Sequence, residues 1–287
     1  MESLHTYLKK VARQGFLVRF ITFLGLLAIA WAPLAIIILF VISEPSSRGT
    51  GLLVAVLPAF IGVLACWNRL IYGGSFGLSS YGLRPFQKNY AGLLLGWTVG
   101  GVSLLLLFMV KGWLGWLSWN VGGDVNLAHL GKIALEGFLV ALAVALGEEL
   151  LFRGWLLTEL EHDYSPTVSL WVSSMLFAIA HFIKPIEEVF RTFPQFPGLV
   201  LLGLILVWAR RSQNGHLGLS IGLHGGLIWG YYLAQVGNLA TIRDTAPELW
   251  TGIDQNPLAG GMGIISLSVI AIWVRQLGRE KSSVRNS

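Results

Sequence analysis

The chain has 287 residues, of which 54% are hydrophobic and only 12% charged, with a mean hydropathy of +0.67. That composition excludes an ordinary soluble domain and fits an all-α, polytopic membrane protein. The single cysteine, Cys66, excludes a disulfide framework or a cysteine-rich zinc site. The net charge of +5 belongs to loop lysines and arginines beside a bilayer, because no basic helix or aromatic platform for nucleic acid is present.

Met1 to Gly15 is polar and basic. The apolar run after it is too long for a signal h-region and has no small-residue cleavage site, so it predicts a first span and not a cleaved leader. About eight transmembrane helices follow from runs near the ~20 residues a bilayer needs: Phe20–Val41, Leu52–Tyr72, Ala91–Val110, Leu130–Leu157, Pro166–Ile183, Pro197–Arg210, Leu217–Val236 and Leu258–Val274. Pro33 should kink the first, and the sixth is short. Cys66, inside the second, reads as packing. The Gly- and Ser-rich stretch Gly73–Tyr90, with Tyr81-Gly82-Leu83-Arg84-Pro85, reads as a turn region. Trp113, Trp116 and Trp119, in a loop over Lys111–His129, read as interface anchors. Glu187, Glu188 and Arg191 read as a solvated outer loop, and the charged tail after Val274 as frayed. With the N-terminus inside, fourteen lysines and arginines fall on inner segments and six on outer ones. That bias places both termini in the cytoplasm and suits an integral protein of a plasma or inner membrane.

The densest chemistry lies in Gly147-Glu148-Glu149-Leu150-Leu151-Phe152-Arg153-Gly154-Trp155, at the end of an apolar run. Ionisable groups at membrane depth are costly and mark function or pairing. On a helix Glu149 and Arg153 are i and i+4, acid first, the better order for an ion pair. Glu148 points about 100° away, and Phe152 occupies its i+4 position. One glutamate is therefore neutralised and the other left free to act as a base or acid. His181, in Phe177-Ala178-Ile179-Ala180-His181, and His224, in Ser220-Ile221-Gly222-Leu223-His224, lie inside later apolar runs. At 1.5 Å per residue, the three sites agree in depth within about 10 Å, which permits one intramembrane polar cavity.

Glu-Glu-x-x-x-Arg, then Phe-x-x-x-His, then a histidine in a later span resembles the CPBP group of intramembrane proteases. That group includes the type II CAAX prenyl endopeptidases and bacterial homologues linked to bacteriocin self-immunity. The likeness covers about Glu136 to Gln235, with a weaker echo at Tyr81–Pro85. It implies N-terminal helices over 1–129, a catalytic core over 130–238, and a last helix and tail over 239–287. It implies an endopeptidase acting on a membrane-associated peptide or protein substrate, lipidated or not, with the bilayer as its other partner. By position, Glu148 resembles the water-activating residue, His181 a water holder and His224 an oxyanion stabiliser. Glu149 and Arg153 resemble the supporting ion pair, and Phe177 reads as packing.

The family usually has an asparagine four residues after the last histidine. Here Ile228 stands there, so one oxyanion donor is missing or comes from elsewhere, with Ser220 a substitute. Loss of such a donor costs about 10²–10³ in rate. A catalytically weak or inactive member, serving as a scaffold or as an immunity or partner-binding protein, is the rival reading. A small transporter fits the hydropathy but lacks repeats or paired broken helices. No cofactor is expected. Zinc on two histidines and a glutamate is the competing mechanism, while the absence of a serine or cysteine placed with a base favours water as the attacking group.

Overall fold

A computed structural model describes residues 4–84, 86–120 and 127–286. Twelve α-helices among them form the fold: α1 Leu4–Val11, α2 Phe16–Val41, α3 Pro45–Tyr72, α4 Phe86–Trp113, α5 Leu127–Glu149, α6 Leu157–Asp163, α7 Pro166–Ala180, α8 Ile186–Thr192, α9 Phe196–Ser212, α10 Gly218–Gln235, α11 Glu248–Thr251 and α12 Gly261–Asn286. The only strands among the described residues, β1 Leu117–Trp119 and β2 Ala240–Ile242, pair antiparallel with Ser118 opposite Thr241.

Helices stand at all eight places the apolar runs marked. Six stretches are long and apolar enough to cross a membrane. The fifth and seventh fall short: α7 has 15 residues, and α10 has 18 with five glycines, His224 and Gln235. Three further details depart from the sequence reading. Trp119 lies in a β-ribbon and not in a loop. Glu187, Glu188 and Arg191 form a short helix, whose Arg191 pairs with Asp254. The charged tail continues α12 as helix. Pro85 lies outside the described residues.

The chain divides into two compact units. The first holds the residues up to Gly82 together with Thr158–Tyr164. Its α2 is apolar on nearly every side, with only Arg19, Phe23 and Ala35 buried, as suits a helix facing lipid. Its polar centre is Glu159, fully buried. Glu159 accepts from Arg19 Nε at 2.6 Å, Trp67 Nε1 at 2.8 Å and the Tyr72 hydroxyl at 2.6 Å. Arg19 also reaches Asp163 at 3.1 Å. A buried carboxylate is tolerable when paired and hydrogen-bonded in this way. Tyr81 is buried beside them, and burial raises the pKa of its phenol, with Glu159 adding to the effect.

The second unit holds Leu83–Leu157 and Ser165 onward. Its central pair is α4 and α10, which meet through glycines four apart on both helices: Gly92, Gly96 and Gly100 against Gly218, Gly222 and Gly226. A Cβ on Gly222 would lie 2.2 Å from the Leu93 carbonyl oxygen, and one on Gly96 2.5 Å from that of Leu219. Such ladders let membrane helices pack backbone to backbone, where no hydrophobic force drives association. Gly222→Ala is therefore expected to cost about 1–3 kcal/mol, read as a lowered melting temperature in detergent. Gly62→Ala, whose Cβ meets nothing within 4 Å, is the neutral control. α5 packs on the other side of α10, where Trp229 Nε1 donates to the Ala134 carbonyl at 2.9 Å.

Candidate active site

The helical run that carries Glu148 is continuous for 37 residues, Leu127–Asp163, but it is not uniform. Immediately after Glu149 it widens into a π-helix over Leu150–Leu156. The Leu157 N–H bonds the Phe152 carbonyl five residues back, and the buried Ser173 hydroxyl of α7 donates to the same oxygen at 3.2 Å. Short π segments are rare and cluster at functional sites, because the extra residue re-aims the neighbouring side chains.

Glu149 and Arg153 are both fully buried and lie 2.9 Å apart, Oε1 to Nη1. The same Glu149 oxygen meets His224 Nδ1 at 2.9 Å. That oxygen already accepts from the guanidinium and meets His224 as an acceptor too, so His224 Nδ1 carries a hydrogen. The opposite nitrogen, Nε2, then faces Glu148 Oε2 at 3.8 Å, beyond hydrogen-bond range. That Glu148 oxygen is buried and has no hydrogen-bond partner among the described residues. The two adjacent glutamates thus diverge. Glu149 is held from two sides through Oε1, although its Oε2 also has no hydrogen-bond partner among the described residues, whereas Glu148 turns its uncommitted oxygen toward the imidazole.

His181 caps the C-terminus of α7. Its Nδ1 lies 2.8 Å from the Phe177 carbonyl oxygen. A carbonyl only accepts, so His181 also carries its hydrogen on Nδ1 and leaves Nε2 as the free nitrogen. Phe177, read from the sequence as packing, stands at the centre of the group. Its ring lies 4.7 Å from that of His181 and 5.9 Å from that of His224, and the Arg153 guanidinium sits over its face at 4.1 Å. A desolvated cation over an aromatic face contributes about 2 kcal/mol or more. Phe177 therefore links α7 to the charged group and fixes both imidazoles.

The glycine ladder seats α10 on α4, the Trp229 bond to Ala134 holds α5 to the other side of α10, and Ser165 with Pro166 starts α7. The Ser165 side chain caps the Val168 N–H, and proline fills the first turn, where its missing N–H costs nothing. The Arg153 Nη2 donates to the Gly203 carbonyl at 3.3 Å, joining α9 to the group. At the position of the family asparagine, Ile228 is half-buried and offers no polar atom. Ser220 donates its hydroxyl hydrogen to the Leu217 carbonyl at 3.0 Å, so in this arrangement that proton is already committed. Among the described residues no three His, Cys, Asp or Glu side chains are grouped to hold a metal ion.

Residues 130–230 match the model of the Rce1-like type II CAAX prenyl endopeptidases. This segment is similar to the Rce1-like family. It covers α5, the π-helix, α7 and α9, and α10 as far as Gly230, and so contains every side chain of the group just described. No curated protein and no solved structure matches the chain. The six apolar stretches and the match to a membrane-protease family over residues 130–230 support an integral membrane protein.

Proposed function

We propose that the chain is an intramembrane endopeptidase that hydrolyses a peptide bond near the C-terminus of a membrane-associated substrate, using water activated by Glu148. The observation that carries this is the uncommitted, buried Glu148 oxygen 3.8 Å from His224 Nε2, inside a segment of a protease family. The family's name supports a substrate cut near its C-terminal tail, lipidated or not. The reaction needs a base for water and a donor for the oxyanion. Glu148 takes one proton from water, while His181 Nε2 accepts a hydrogen bond from the hydrogen that stays on the resulting hydroxide. The hydroxide adds to the scissile carbonyl. His224, protonated on both nitrogens, donates from Nε2 to the oxyanion while Glu149 neutralises it at Nδ1. The C–N bond then breaks, and Glu148 returns its proton to the departing amine.

This cycle uses no metal. Glu149 is already shared between Arg153 and His224, and a cation there would have to displace both. Activity is expected to survive exhaustive chelation; its loss to a chelator and recovery with zinc would favour the competing zinc mechanism. The termini are proposed to lie in the cytoplasm, with α7 and α10 completing eight crossings.

The direct test is mass spectrometry of C-terminal peptides from membranes with and without the active protein. Shortened tails that appear only with the wild type support the reading. Identical tail profiles would sink it. Ile228 favours a second reading, a binding protein that keeps the polar group for packing. Ile228→Asn distinguishes the two: an enzyme short of one donor gains about 10²–10³ in rate, whereas a binding protein gains nothing.

A further inference from the structure

Away from the catalytic group, α9 and α12 enclose a second polar feature, a cleft of about 320 Å³. It is lined by Trp208, Arg211 and Ser212 of α9 and by Arg275, Gly278 and Arg279 of α12, closed at the back by Val274. Three arginines line it, and none of the other described lining residues is acidic. Arg275 and Arg279 are i and i+4 on one face of α12, a like-charge spacing that destabilises a helix by a few tenths of a kcal/mol. The Arg275 guanidinium lies over the Trp208 ring at 5.0 Å, and Arg211 is steadied by the Pro166 carbonyl at 2.7 Å. Gly278 and the buried Ser212 form the floor, with no bulk between the arginines.

Basic pockets between the ends of membrane helices suit the phosphate of an anionic headgroup, and tryptophan suits the headgroup level. We infer that this cleft binds the phosphodiester of an anionic phospholipid through Arg211, Arg275 and Arg279. The inference is independent of the peptidase reading, because no catalytic side chain lines the cleft. Its occupant is a lipid and not free phosphate, because Val274 and the Trp208 ring offer apolar surface beside the charges, which glycerol and the first acyl methylenes can cover.

The test titrates full-length protein in neutral detergent with phosphatidylglycerol, phosphatidylcholine and inorganic phosphate, and counts bound species by native mass spectrometry. Phosphatidylglycerol is expected to bind saturably and at least tenfold more tightly than phosphatidylcholine. Millimolar phosphate is expected not to displace it. The pair Arg275→Gln and Arg279→Gln should weaken binding roughly 25-fold, about fivefold for each charge. Gly278→Leu, which fills the floor and keeps every charge, should weaken it at least tenfold. Equal binding of the two lipids would overturn the site. So would a Gly278→Leu protein that binds like the wild type, which would reduce the effect to diffuse surface charge. Displacement by millimolar phosphate would overturn the lipid as the source. The substituted side chains are exposed and Gly278 half-buried, so an unchanged melting temperature checks that the variants fold.

Discussion

Glu148→Gln is expected to abolish cleavage while leaving the protein as abundant and as stable as the wild type. Glutamine keeps the size and a carbonyl oxygen but cannot accept the proton of water. A positioned base contributes about 10²–10⁴ in rate, so turnover in proteoliposomes should fall by about that factor. Stability should hold because Glu148 makes no hydrogen bond to the described residues through its buried oxygen and lies outside the Glu149–Arg153–His224 group. Removing a carboxylate whose oxygen is buried without a partner relieves a desolvation cost. The two readings of the chain separate here. An enzyme loses its activity and keeps its fold. A binding protein that holds the same side chains for packing shows no change in its cellular phenotype. Full cleavage by Glu148→Gln would remove Glu148 from the reaction.

His181→Ala belongs to the same experiment and is expected to act more mildly. Its Nδ1 is committed to the Phe177 carbonyl, so only Nε2 is offered to water. Loss of one water-holding acceptor should cost less than loss of the base.

The difference between adjacent glutamates was legible in the sequence, because helical spacing alone gives Glu149 an arginine and denies one to Glu148. The meeting of α5 and α10 was legible only as a matching depth. Trp229 on the Ala134 carbonyl holds α5 to one side of α10, while α10 itself is seated on α4 by the ladder Gly92-x₃-Gly96-x₃-Gly100 against Gly218-x₃-Gly222-x₃-Gly226. That signal was present in the sequence, since the four-residue spacing of small residues is the mark of close membrane helices. Other parts of the site had no local signal. The π-helix at Leu150–Leu156 depends on tertiary partners such as Ser173, which takes up the Phe152 carbonyl. The nitrogen that carries the hydrogen in each histidine depends on what faces it, and spacing does not reveal that. Phe177 was read as packing because a phenylalanine in an apolar helix carries no mark of the cation above it. Glu159 went unremarked for a related reason: its partners, Arg19, Trp67 and Tyr72, lie roughly 90–140 residues away in sequence, beyond any helical periodicity. The places of the helices were legible but not their lengths, because α7 and α10 give up apolar residues to carry histidine, serine and glycine.

Arg153→Met is expected to do more damage to the protein than to the reaction. Arg153 and Glu149 are both fully buried, and the guanidinium is held by Glu149 Oε1, the Gly203 carbonyl and the Phe177 face. Removing the cation strands a carboxylate in a low-dielectric site, with His224 Nδ1 as its remaining hydrogen-bond partner among the described residues. Breaking a buried pair by removing one partner costs about 3–5 kcal/mol, a large share of the 5–15 kcal/mol that holds a typical domain together. The expected readout is a sharp drop in membrane abundance and in monodisperse protein after extraction. Combining Arg153→Met with Glu149→Gln should restore most of the lost protein, since a neutral pair of similar volume replaces a buried ion pair at little cost. It should not restore cleavage, because His224 then lacks the carboxylate that holds its Nδ1 hydrogen and balances a proton on Nε2. Recovery of abundance without recovery of activity separates the structural role of the pair from its role in holding the imidazole. Wild-type abundance for Arg153→Met alone would mean that Glu149 finds another cation or is neutral in the membrane, and the charge arrangement behind the proposed mechanism would have to be redrawn.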